Sequence, residues 1–274
     1  MSKYTIVNGE FLPAATASVL ITDLAVQRGY GIFDFFKTIN GEPVFVEDHL
    51  DRFYNSATAM RLPVDKSREE LKSLLFTLIK ENGLFDSGIK ITLTGGYSAD
   101  GYTLAKPNMI ITQQPLTINK EINIKGIKII THPHQRQLAE VKTLDYLMAI
   151  WLQPLIKQKG ADDVLYHNHG MVKECPRANF FIVMPDNQVI TSADKILKGI
   201  VRKQVLNLNI DGITIREKEI SLEDLKQCKE AFITSSTKNI LPVTEIDGQI
   251  IGNGYAGDVT MALAERLKEF VFSK

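Results

Sequence analysis

The sequence predicts an α+β protein made of two α/β domains. Two observations carry this reading: strand-like segments come in hairpin pairs rather than alternating singly with helices, and a polar, proline-containing stretch separates two periodic halves. A length of 274 residues, at about 150 per domain, agrees with two domains.

The first half opens with YTIVNGEFL, which alternates around an Asn-Gly turn, and FKTINGEPVFV at 36–46 repeats the form, so both read as hairpins. From Glu47, residues Leu50, Phe53, Tyr54, Ala57 and Met60 recur at helical spacing and stop before Pro63. Asp65 or Ser67 caps a second helix, REELKSLLFTLIKENG, with Gly83 as its stop. Strands IKITLTGG and NMIIT follow. The glycine-rich LTGGYSADGY at 93–102 reads equally well as a close-approach loop and as a plain hairpin loop.

Residues 113–128 carry proline and polar residues with little periodicity. The reading therefore sets an N-terminal domain at 1–115, a linker at 116–128 and a larger C-terminal domain at 129–274. That domain reads as a strand IKIITHP, a helix over Leu144–Lys159 and a strand-rich block at 164–191 with turns at 168–170 and 185–187. A helix near 199–207, a strand ITIREKEI, a short helix LEDLKQC, a strand AFITSS and a helix from about Gly257 complete it.

Composition excludes several classes. Lys+Arg and Asp+Glu both number 32, so no global field draws the protein to nucleic acid or an anionic membrane. The charge-free stretches fall short of the roughly 20 apolar residues a spanning helix needs. Only Cys175 and Cys228 occur, without a CxxC, which points to a reducing cytoplasm. The phosphate cradles GxGxxG and GxxxxGK[ST] are missing, as are GxSxG and HExxH. HPH at 132–134 and HNH at 167–169 each put two imidazoles on one strand face, but no acidic or thiol partner shares the spacing, and no metal is expected.

Lys142, in LAEVKTLDYL, has two readings. It is either a solvated lysine or one desolvated among Leu138, Val141 and Leu144, whose lowered pKa suits imine formation. Lys142 in EVKTLDYL, Glu174 in VKECPRANFFIV, the turn LKGIVRKQV and the run AFITSSTKNILPVTEIDGQIIGNG together resemble the class IV pyridoxal-phosphate aminotransferases. That family includes branched-chain and D-amino-acid aminotransferases and aminodeoxychorismate lyase. The likeness extends from RGYGIFDFFKTINGEPVFVEDHLDRF to GYAGDVTMALAERL. It implies the D-amino-acid-aminotransferase-like fold, fold type IV, with pyridoxal 5′-phosphate between the domains of a homodimer.

The same resemblance implies the site. Lys142 would carry the cofactor and move the proton between the substrate α-carbon and C4′, and Glu174 would keep the pyridine nitrogen protonated. Arg52 would bind the phosphate; His49, Arg52 and Ser56 share one helix face that can front an inter-domain cleft, a surface salt bridge being the alternative for Arg52. Ile200 and Val201 would present helix-opening amides to the phosphate after Gly199. Ser236 would add a hydroxyl to the phosphate, and Thr237 would lie nearer the substrate carboxylate.

The sequence departs from the family in places. Val201 stands where many members have Thr, Gly95 where D-amino-acid enzymes place an arginine, and Phe33 where they carry tyrosine. Phe33, Lys37, Tyr97 and Arg136 are the substrate-side candidates, with Phe35 and Tyr30 as further aromatic wall. The resulting expectation is a ping-pong aminotransferase acting on an amino acid, branched-chain foremost, and a 2-oxo acid. The alternatives are a 4-amino-4-deoxychorismate lyase and a D-amino-acid aminotransferase. The joint presence of Lys142 and Glu174 argues against a non-catalytic scaffold.

Overall fold

A computed structural model describes residues 2–272; the first residue of the expected N-terminal domain and the last two of the C-terminal one lie outside the described residues. The chain divides into two compact units, Met1–Ile118 with Val141–Asp145, and Asn119–Glu140 with Tyr146–Lys274.

The first unit contains β1 (Tyr4–Val7), β2 (Glu10–Pro13), α1 (Leu24–Arg28), β3 (Gly31–Ile39), β4 (Glu42–Pro43), α2 (Val46–Ala59), α3 (Arg68–Asn82), β5 (Ser87–Thr94) and β6 (Met109–Pro115). Its six strands form an antiparallel sheet in the order β2-β1-β6-β5-β3-β4. Both hairpin turns have Asn and Gly at positive φ, 52° and 90° at Asn8 and Gly9 and 52° and 87° at Asn40 and Gly41. This is the mirror-image turn whose twist matches paired strands. Ser67 and Glu70 close a reciprocal capping box on α3, and Gly83 ends it in the left-handed conformation at φ 64°. Leu50 and Phe53 of α2, Leu71 and Leu75 of α3, and Phe36 and Ile91 of the sheet are fully buried together. Each such side chain contributes roughly 1.5–3 kcal/mol of transfer free energy.

The second unit contains β7 (Ile127–Pro133), α4 (Leu147–Trp151), α5 (Gln153–Gln158), β8 (Asp163–Asn168), β9 (Met171–Val172), β10 (Glu174–Cys175), β11 (Ala178–Val183) and β12 (Gln188–Thr191). It continues with α6 (Ile200–Leu206), β13 (Thr214–Glu217), β14 (Ile220–Ser221), α7 (Asp224–Gln227), β15 (Glu230–Ser235), β16 (Asn239–Ile246), β17 (Gln249–Ile250) and α8 (Asp258–Phe272). The strands run in the order β13-β12-β11-β15-β16-β7-β8-β9-β14, with β10 on β11 and β17 on β16. The β12–β13, β7–β16 and β7–β8 pairs are parallel and the others antiparallel. No helix among the described residues is long and apolar enough to cross a membrane.

Three features differ from the sequence reading. The helix expected over Leu144–Lys159 is α4 and α5, broken where Pro154 enters the first turn of α5 and cannot donate a backbone hydrogen bond. The polar tract from residue 113 begins as strand: Gln113 is buried, and its amide donates to Leu84 O and Ser87 Oγ, both at 2.8 Å. The segment around Lys142, expected in the C-terminal domain, packs with the first unit instead.

Candidate active site

In the first unit the site is built around an acid. β3 alternates, so Ile32, Asp34 and Phe36 share the buried side beneath α2. Asp34 is inaccessible to solvent, and Arg52 of α2 grips it with a fork, Nε to Oδ2 and Nη2 to Oδ1, both 2.8 Å. His49 Nδ1 lies 2.6 Å from Oδ1, and the Phe35 backbone N–H donates to the same oxygen at 2.8 Å. Burial alone would raise the Asp34 pKa, but Arg52 and His49 beside it hold it well below the usual carboxylate range. His49 goes the other way: burial lowers its pKa below 6.5 despite Asp34. The neutral ring therefore donates to Asp34 through Nδ1.

Lys142 reaches this cluster through its backbone. Phe33 N–H donates to Lys142 O at 2.9 Å, Leu144 N–H to Gly31 O at 3.0 Å, and Ile32 bridges Thr143. The segment thus adds a short antiparallel edge to β3, and Gly31 lets it approach: a Cβ there would stand 2.7 Å from Leu93 O and 2.8 Å from Leu144 Cδ1. Lys142 N–H points to Ser56 Oγ at 3.4 Å, and its Nζ lies 4.6 Å from the Phe33 ring centroid. His49, Arg52 and Ser56 do share one face, as their spacing predicts, and within the first unit that face meets β3 and the Lys142 segment. Lys142 is half-buried and Val141 buried, but Leu138 is exposed and so does not contribute the burial that the desolvated reading of this lysine calls for.

The other side of β3 carries Phe33, Phe35 and Lys37, and β5 adds Gly88, Lys90 and Thr92. The Phe35 ring lies over Gly88, where a Cβ would collide with it. Lys37 is buried, and burial pulls its pKa down to about 8. Tyr97 is exposed on the loop after β5, and its backbone bridges Asp23. Tyr30 does not join this wall: it packs against the core, and its hydroxyl donates to Met60 O at 2.7 Å.

In the second unit, strand register gathers the site. Glu174 pairs with Asn179 and Asn179 with Thr234, which sets the three side by side across β10, β11 and β15. Glu174 is buried; its Oε1 accepts from Arg136 Nε at 2.8 Å and its Oε2 from the Leu197 backbone N–H at 3.0 Å. Arg136, a substrate-side candidate on sequence grounds, is thus turned to Glu174, and its Nη2 donates to Ala139 O. Asn179 Nδ2 donates to Leu197 O at 2.7 Å, and a Cβ at Gly199 would run into Asn179 Oδ1. Gly199 is the N-cap of α6 with no side-chain cap, and Ile200 and Val201, both buried, open the helix. Ser236 and Thr237 form the turn between β15 and β16, Ser236 half-buried and Thr237 exposed. Among the described residues no three metal-ligating side chains come together, at HPH or HNH or elsewhere.

Sequence reasoning missed Asp34 and Asn179. The available signal was a polar residue inside an aromatic strand, FDFF and ANFF, where an unpaired polar side chain would be costly.

A family model described as amino-transferase class IV matches residues 31–246. The chain belongs to the class IV aminotransferases. It is therefore a pyridoxal-phosphate-dependent transaminase. A Methanocaldococcus jannaschii protein, provisionally named a branched-chain-amino-acid aminotransferase, is 30% identical over 96% of this chain and 94% of its own length. A D-alanine aminotransferase of Listeria monocytogenes is 29% identical over 96% of this chain and 94% of its own. A solved T.th. branched-chain amino acid aminotransferase with pyridoxamine 5′-phosphate has the same fold, with a TM-score of 0.90 at 23% identity over 100% of this chain and 96% of that one.

Proposed function

We propose that this transaminase exchanges an amino group between a branched-chain amino acid and a 2-oxo acid, with Lys142 as its catalytic residue. The observation that carries the reading is the Lys142 amine held against the Phe33 ring, on a sheet face that continues into Phe35. Such a wall suits an apolar side chain bound beside the reacting amine. The donor set fits the cofactor: an amine at Lys142, a guanidinium at Arg52 pre-oriented by Asp34, and a buried carboxylate at Glu174. Gly199, where a Cβ has no room, opens a helix whose first amides suit a phosphate. When bound, pyridoxal phosphate supplies the electron sink that stabilises a carbanion at the substrate α-carbon.

The chain's own residues do the rest. Lys142 Nζ takes up and returns the α-proton. Glu174 holds a proton on the pyridine nitrogen by its negative charge, and Arg136 positions Glu174 rather than gripping substrate. Arg52, the amides of Ile200 and Val201, and the Ser236 hydroxyl take the phosphate. Thr237 lies toward the substrate carboxylate. Lys37 and Tyr97 stay as substrate-side residues.

The related D-alanine aminotransferases support a second reading, transfer from a D-amino acid. Against it, a Cβ at Gly95 would stand 2.8 Å from Leu24 Cδ1, which leaves no room there for the arginine those enzymes use. The protein is further proposed to work in the cytoplasm, in keeping with its two free buried cysteines. A homodimer is supported by α4, whose Leu147, Ile150 and Trp151 are 76%, 69% and 67% exposed.

The test is the visible spectrum of cofactor-loaded protein with a panel of L- and D-amino acids and aminodeoxychorismate. Conversion of the cofactor band by L-leucine or L-isoleucine is expected, and Lys142→Ala should abolish it while keeping the fold. Conversion by D-amino acids alone transfers the reading to the second class, and pyruvate release from aminodeoxychorismate alone transfers it to a lyase.

A further inference from the structure

Leu197 is held by two side chains that are themselves strand partners. Its backbone N–H donates to Glu174 Oε2 at 3.0 Å, and its carbonyl accepts from Asn179 Nδ2 at 2.7 Å. Glu174 and Asn179 face each other across the β10–β11 ladder, so one residue of a neighbouring segment ties onto both members of a cross-strand pair.

That segment, 192–199, runs from β12 to α6 with no helix or strand of its own. Side chains from elsewhere fix its backbone instead: Arg202 Nη2 donates to Ser192 O at 2.8 Å, Gln135 Nε2 to Lys195 O at 3.0 Å, and Asn179 to Leu197 O. The buried Asn179 grips it at a second point, because its Oδ1 occupies the place that a Cβ at Gly199 would take. The position calls for a donor. An aspartate of the same shape accepts only, so it would meet the Leu197 carbonyl without a hydrogen and set a second negative charge directly opposite Glu174.

A buried carboxylate keeps its charge while donors point at it. Arg136 Nε supplies one such donor to Glu174, and the Leu197 N–H another. The second is only as steady as the irregular segment that carries it. We infer that Asn179 is a positioning residue for Glu174: it locks the Leu197 backbone so that the N–H stays aimed at Oε2 and the carboxylate stays charged. This rests on the ring-nitrogen role proposed for Glu174. With that donor lost, the carboxylate becomes the stronger base and takes the proton from the pyridine nitrogen, and the negative charge that the role requires disappears.

The test is the ring-nitrogen NMR resonance of isotope-labelled pyridoxal phosphate bound to wild type, Asn179→Ala and Gly199→Ala, followed from about pH 6 to about pH 10. In Gly199→Ala the new Cβ pushes the same carboxamide aside from the opposite direction, so this variant carries the test if Asn179→Ala folds poorly. The pH at which the ring nitrogen gives up its proton should fall by about one unit in each variant, the worth of one hydrogen bond. The double variant should fall no further than the larger single one, because both changes break one contact. In kinetics, kcat of Asn179→Ala should drop about tenfold with KM nearly unchanged. An unshifted titration in Asn179→Ala, or in Gly199→Ala where the first does not fold, overturns the inference even if kcat or the unfolding midpoint falls, since Asn179 then serves the fold alone. A wild type whose ring nitrogen carries no proton near neutral pH removes the Glu174 role and the inference with it. Failure of the transaminase reading shows separately, as a cofactor band that no amino acid converts while the pH shift between variants persists.

Discussion

The two units each hold a buried carboxylate against an arginine, and they use the pair in opposite senses. In the first, Asp34 lies wholly inside and gives both oxygens to side-chain donors, the Arg52 fork and His49, while Arg52 keeps an exposed edge of 11%. In the second, Arg136 meets Glu174 through Nε, and the other carboxylate oxygen takes the Leu197 backbone amide. In one pair the acid orients the guanidinium; in the other the guanidinium orients the acid. A planar fork fixes a guanidinium in two dimensions, which suits the phosphate-binding role proposed for Arg52. An Nε donor plus a backbone donor holds a carboxylate in place in its charged form.

This contrast predicts different losses. Asp34→Ala strands the Arg52 and His49 donors beneath α2 and should destabilise the protein by roughly 3–5 kcal/mol, read from urea unfolding. A loss under about 1 kcal/mol would show that the acid does not organise the first pair. Glu174→Gln keeps the shape and removes the charge, so kcat should fall roughly 100-fold with a much smaller shift in the unfolding midpoint. Near-wild-type turnover would count against its role. Exchanging the arginines sharpens the comparison. Arg52→Met should lose cofactor on dialysis, whereas Arg136→Met should retain it and slow turnover by about tenfold, the value of one hydrogen bond. If both variants shed cofactor alike, the two pairs are not opposed in function.

The parts of this arrangement differ in how far they can be read from the chain. Local rules reach the hairpins, because Asn8-Gly9 and Asn40-Gly41 adopt the positive φ that their turn demands. They also reach the row of His49, Arg52 and Ser56, because helical spacing alone sets a shared face. Motif likeness is what puts Lys142 and Glu174 forward for their proposed roles. What the chain does not disclose is partnership at long range. Asp34 meets Arg52 across 18 positions and Arg136 meets Glu174 across 38, so neither pair leaves a periodic trace. The helix expected from Leu144 starts only at Leu147, because the backbone bonds of Lys142 and Leu144 to Phe33 and Gly31 capture that segment as a sheet edge. Tertiary pairing there overrides a local preference.

The smallest expected effect separates the pairs by pH. His49 is held neutral by burial, with a folded pKa below 6.5, while the unfolded chain takes up a proton near 6.5. Its contribution to stability is therefore complete above that pH and is lost as the pH falls through the window beneath it, with a slope of at most about 1.4 kcal/mol per pH unit. Asp34, with its folded pKa below the ordinary 3.8, adds a loss of the same sign at still lower pH. His49→Gln retains an amide donor for Asp34 and cannot titrate. Its stability curve should run flatter than wild type as the pH falls below about 6.5, with the Asp34 contribution still to be lost at lower pH. Arg136→Met leaves His49 in place, so its curve should lie below wild type and keep the part of the slope that His49 contributes below about pH 6.5. Parallel curves for His49→Gln and wild type would mean that His49 takes its proton without leaving Asp34, and the first pair would then be an ordinary buried salt bridge like the second.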